Sequence, residues 1–138
     1  MGLTYRIHPE AQLLVIRGDG TISQQERLET LRAWMRDPAY PACTAALCDF
    51  TTALSTPGLS ELHELIQVMR EDRSGRGPSK LAIVTPRPVA FGIARVFQEI
   101  VRLGGFALEV CAFRHRAGAW AWLRPDMDRS QLASLLFE

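Results

Sequence analysis

At 138 residues, with 47% hydrophobic and 22% charged side chains, the chain is one domain of ordinary size, long enough to bury a core and too apolar for disorder. A formal net charge of +1 excludes a global field for nucleic acid or an anionic membrane, and Lys80 is the only lysine among 16 basic residues. No apolar core follows a basic N-terminal start, and no apolar run nears the ~20 residues of a membrane helix; the expectation is a cytoplasmic protein without stable membrane insertion.

In chain order, Tyr5-Arg6-Ile7 and Leu13-Leu14-Val15-Ile16-Arg17 flank His8-Pro9-Glu10-Ala11, which predicts an N-terminal β-hairpin closed by Gly18-Asp19-Gly20. Ser23 and Glu26 have the spacing of a capping box, in which Glu26 reaches back to the Ser23 amide. Leu28, Leu31 and Met35 make one face of a first helix that Asp37-Pro38 stops. Thr44-Ala45-Ala46-Leu47-Cys48-Asp49 reads as a strand with small apolar residues suited to burial on both sides. Thr56 with Pro57 behind it predicts the N-cap and first turn of a second helix, lined by Leu59, Leu62, Leu65, Ile66 and Met69. Residues 71–79 contain no apolar side chain and read as an exposed loop.

A βαβ unit follows. Leu81-Ala82-Ile83-Val84 is a short apolar run, Thr85-Pro86-Arg87-Pro88 breaks it, and residues 89–103 are apolar at helical spacing. Gly104-Gly105 ends that helix, and residues 107–113 resume as a strand. Trp120 and Leu123 mark a fourth helix over 116–123, which Pro125 ends, and Leu132, Leu135 and Leu136 mark a weaker one over 128–137. The pattern is α/β: a mixed five-stranded sheet, antiparallel in the hairpin and parallel elsewhere, with four to five helices in one domain. Its core spans about 4–124, with a helical tail over 126–138.

Reactive signatures are absent. No GxSxG elbow, P-loop or GxGxxG follows any strand, and His8, His63 and His115 have no partner at metal-ligand spacing. Of the three cysteines, Cys43 and Cys48 are five apart and would point to opposite faces of one strand, so neither a disulfide nor a metal site follows. Two features stand out. Asp49 closes the central strand ahead of Thr51, Thr52, Ser55 and Thr56, and open parallel sheets bind ligands at the carboxyl ends of their strands. A hydroxyl near a helix N-terminus can also take a phosphoryl group, which makes Ser55 and Thr56 candidate phospho-acceptors beside a plain capping role. The other feature is helix 89–103, apolar nearly all round, with Phe91, Ile93, Val96, Phe97 and Ile100 among its side chains. Such a helix is buried on two sides, offers a partner surface, or lines an apolar cavity.

The opening hairpin, the Asp49 strand, Leu81-Ala82-Ile83-Val84-Thr85-Pro86, Val89-Ala90-Phe91-Gly92-Ile93-Ala94-Arg95 and the Ala119-Trp120-Ala121-Trp122-Leu123 helix together resemble the SpoIIAA-like (STAS-like) family of small bacterial proteins. The resemblance covers roughly residues 4–124 and implies a β-α superhelix without enzymatic activity. Anti-sigma-factor antagonists of this fold carry a phosphorylatable Ser at the start of the second helix, after a strand ending in Asp. Here Asp49 takes the strand position, and Ser55-Thr56-Pro57-Gly58 stands in place of the Ser signature. Kinship with STAS/Sec14-type members implies an apolar ligand.

The resulting expectation is a non-catalytic regulatory or protein-interaction module, without cofactor or metal, whose partner is another protein or a second copy in a homodimer. The alternative is a binder of a small apolar, lipid-like molecule, which requires a lined cavity of at least ~300 Å³ beside the third helix. An enzyme of unknown class stands third.

Overall fold

The computed structural model describes residues 2–72 and 75–136. Strand β1 (Leu3–His8) pairs antiparallel with β2 (Leu13–Gly20) across a 3-10 turn, Pro9–Ala11, and Gln12 at φ 53°. Then follow α1 (Gln24–Arg36), β3 (Ala45–Ala53), α2 (Leu59–Arg70), β4 (Lys80–Val84), α3 (Pro88–Leu103), β5 (Glu109–Phe113), α4 (Arg116–Leu123) and α5 (Arg129–Leu136). The sheet is mixed and its strand order is that of the chain: β2 to β5 run parallel, with β1 reversed at the edge. This is the α/β arrangement the alternation of elements predicts.

Chain-order strands joined by crossovers of one hand receive their connecting helices on one face. Accordingly α1, α2 and α3 lie over the side to which Leu14, Ile16, Ala46, Cys48 and Ile83 point. The alternate residues Leu13, Val15, Ala45, Leu47, Ala82 and Val84 point the other way, where Ala119, Trp120 and Leu123 of α4 and Leu132 of α5 cover them. The period of two along each strand therefore builds two separate apolar layers.

Several local expectations are corrected. β3 does not end at Asp49: it continues to Ala53, because β2 also runs on through Gly20 and, past an irregularity between Arg17 and Asp19, pairs Thr52 and Ala53 with Asp19 and Gly20. Thr56 does not cap α2. The N-cap is Gly58, whose N–H donates to Glu61 Oε1 at 2.9 Å, so the helix starts later and leaves Ser55 and Thr56 in the loop. At α1, Ser23 Oγ accepts the Glu26 N–H as expected, but the Glu26 carboxylate is turned to the Leu3 N–H on β1, 2.8 Å away. Cys43 precedes β3 at the end of a 3-10 turn, so it is not held to strand alternation and packs in the same apolar layer as Cys48. The side chains of Leu135 and Leu136, with Phe137 and the loop residues Arg73 and Ser74, lie outside the described residues.

Candidate functional site

The helix-covered face carrying α1, α2 and α3 holds a partly open cavity of about 300 Å³. Its floor is β-sheet: Leu3, Leu14, Ile16, Ala46, Cys48, Leu81 and Ile83. Its roof is Leu31, Trp34 and Met35 of α1, Leu62, Leu65 and Met69 of α2, and Ala90, Ile93, Ala94 and Phe97 of α3. The reason for the space is visible in the side chains. Ala46 and Cys48 on the central strand and Ala90 and Ala94 on α3 all line it, so small residues occupy wall positions on both sheet and helix where larger ones would narrow the gap.

The two ends of the cavity differ from its middle. At the carboxyl ends of the strands stand Ser55, Thr56 and Thr85, together with Arg27 reaching in from α1. At the amino ends stand Tyr40, Asp72 and the turn containing Gly77. Gly77 has φ 110°, and a Cβ there would lie 2.7 Å from the Tyr40 ring, so both backbone and contact require glycine.

Charge is disfavoured at three of the lining side chains. Burial pushes the Cys48 thiol up to about 12, with the Asp49 charge adding to it. Burial likewise pushes Tyr40 up to about 12, with Asp72 and then Cys43 contributing. Burial holds the Arg27 guanidinium below the usual arginine range, while Glu61 and Glu26 work in the opposite direction. A neutral thiol of this kind is a packing group rather than a nucleophile.

The sequence-derived candidates divide between this cavity and other places. Asp49 is 4% exposed and points to the opposite face of the sheet, where it accepts hydrogen bonds from the Thr51 N–H and hydroxyl and from Arg116 Nε at 2.8 Å. It ties β3 to the start of α4. Ser55 Oγ accepts the Ile22 N–H at 2.9 Å and donates to the Ile22 carbonyl at 3.3 Å, fastening the loop after β3 to the loop after β2. Thr56 lines the cavity wall.

On α3, Ile93 and Phe97 line the cavity and Ile100 is half-buried against the same layer. Phe91 lies under the guanidinium groups of Arg95 and Arg114, 5.9 and 4.6 Å from its ring centre. Val96 faces outward, between Val89 and Leu103, and those two are 73% and 75% exposed. The helix is therefore apolar all round without being covered all round. His63 and His115 are exposed, and among the described residues no three of His, Cys, Asp and Glu converge as metal ligands.

Residues that sequence reasoning missed are Arg27, Tyr40 and the alanines. Arg27 carried a readable signal, since it falls four positions before Leu31 on the apolar stripe of its helix, where a charge is out of place.

No family model matches the chain, and no curated protein is similar to it in sequence. Its architecture, however, is similar to that of an uncharacterized DUF3478-family protein from Shewanella loihica PV-4 described as having a SpoIIAA-like fold, with a TM-score of 0.57 over 88% of this chain and 94% of that one. The chain has a SpoIIAA-like fold. At 16% identity the likeness to the Shewanella protein concerns the backbone architecture alone. Within the SpoIIAA-like fold, no helix among the described residues is long and apolar enough to cross a membrane.

Proposed function

We propose that this protein binds a small apolar molecule between its sheet and helices α1 to α3, as a carrier or sensor rather than as a catalyst. The observation that supports this reading is the cavity of about 300 Å³, walled by Ala46, Cys48, Ala94 and Phe97 and at the size where ligand pockets begin. A well-packed core leaves few voids larger than a water molecule, and an apolar one of this size gains by being filled with hydrocarbon. The regulatory reading through Ser55 is less favoured on chemical grounds. A phosphoryl group there would remove the proton that Ser55 Oγ donates to the Ile22 carbonyl and crowd the junction of the two loops.

The test is to purify the protein from its host, extract it with organic solvent and identify the released molecules by mass spectrometry. Ala94→Leu, which puts hydrocarbon into the cavity, is expected to abolish that recovery and to change stability by no more than ~1–3 kcal/mol. An Ala94→Leu protein that still yields the same small molecules would refute the assignment.

A second reading, an interaction module for a protein partner or a second copy, rests on Leu54, Leu59 and Val89, which are 66%, 56% and 73% exposed. Sedimentation of the wild type across a concentration series tests self-association, and a monomer at all concentrations removes the second copy from consideration.

A further inference from the structure

We propose that the molecule held in this cavity is an amphiphile with an anionic head, and that Arg27 receives the head at the carboxyl end of the strands. The inference rests on the cavity reading above and adds the chemical class of the ligand. The Arg27 side chain is only 11% exposed. Its contacts are weak for so buried a cation: one terminal nitrogen donates to Gln24 Oε1 at 3.2 Å, and the other reaches Ser55 Oγ at 3.5 Å. Two carboxylates act on it: Glu61 keeps 3.9 Å between Oε1 and the guanidinium, beyond hydrogen-bond length, and Glu26 is turned to the Leu3 N–H. That same Glu61 oxygen is already engaged by the Gly58 N–H at 2.9 Å, and the side chain is 39% exposed, so solvent screens it.

A guanidinium has five donors in a planar fork that matches a carboxylate, and the contacts to Gln24 and Ser55 leave part of this fork available to a ligand. Here the fork stands on the wall of a mostly apolar space, with the Ser55 hydroxyl 3.5 Å away. The opposite end of the cavity has Asp72 beside Tyr40 and the exposed Arg76, charges of both signs at a loop, and no comparably buried cation among the described residues. An apolar body with one acidic head therefore fits with its tail under α3 and its head at α1.

The experiment is calorimetric titration of the full chain with decanoate, decanol and decylammonium, below their aggregation limits. Decanoate is expected to bind at least roughly tenfold tighter than decanol, the scale of one charge-assisted hydrogen bond, and decylammonium the weakest of the three. Arg27→Gln is expected to bring decanoate down to the affinity of decanol. Arg27→Lys, which keeps the charge without the fork, is expected to fall between them and serves if the Gln variant does not fold. Glu61→Gln is expected to strengthen decanoate binding. Equal affinity of decanoate and decanol for the wild type, or a ratio unmoved by both Arg27 variants, overturns the head assignment and leaves the cavity reading standing. Failure of all three probes to bind overturns both.

Discussion

The two sides of the sheet are built from the same strands and finished differently. On the side of α4 and α5, Leu13, Leu47 and Val84 have essentially no exposed surface and the Trp120 ring lies among them, so small residues such as Ala45 and Ala82 face a large partner. On the side of α1, α2 and α3, small residues of both sheet and helix line a pocket, and about 300 Å³ remains open. Size complementarity between facing layers, not hydrophobicity, separates a structural core from a receptacle. Both layers are apolar; one holds a pocket.

Truncation of side chains on the two sides gives the largest test of that contrast. Leu47→Ala, in the filled layer, is expected to cost ~3–5 kcal/mol in chemical denaturation, because every removed atom had neighbours on all sides. Leu62→Ala is expected to cost about 2 kcal/mol, although Leu62 is also buried, because part of its surface already faces the void. Equal costs would contradict the distinction between the layers.

Alkaline titration probes two titratable groups of the hollow side. Cys48 and Tyr40 are neutral acids whose folded values of about 12 exceed their ordinary 9.0 and 10.0, so above pH 9 the unfolded chain loses protons first. Stability is expected to be undiminished by these groups below pH 9 and to fall as pH rises from there towards 12, measured as the urea midpoint at each pH. Cys48→Ala should make that fall shallower, and an unchanged slope would remove Cys48 as its source. The smallest effect belongs outside both layers. Leu103→Ser, on the exposed outer side of α3, is expected to shift stability by no more than ~0.5 kcal/mol. A larger loss would reveal that this side is covered by something in solution.

Much of the architecture was legible in the residues. Leu81-Ala82-Ile83-Val84, the break at Thr85-Pro86 and the glycine stop at Gly104 specify a βαβ unit through local chemistry, and the structure has β4, α3 and β5 there. The boundaries that went astray were decided by distant partners. β3 runs past Asp49 only because an extended β2 is there to pair with it, and Glu61 sets the start of α2 by engaging Gly58 in place of Thr56.

The candidate site was legible only in part. Ile93 and Phe97 belonged to a helix visibly too apolar for one covered side, whereas Ala46 and Ala94 are unremarkable on their own strand and helix. Two small residues nearly fifty positions apart announce a void only once the fold sets both on the wall of one pocket.

What the chain determined unaided is therefore the order, type and hydrophobic faces of its elements, since these follow from periodicity, turn residues and caps within a few positions. The tertiary structure alone decided that the sheet's two faces are unequal, that Asp49 is an anchor for Arg116, and that Arg27 faces a cavity. Those outcomes depend on which side chains meet across layers, and a linear sequence does not record the distance between residues remote along it.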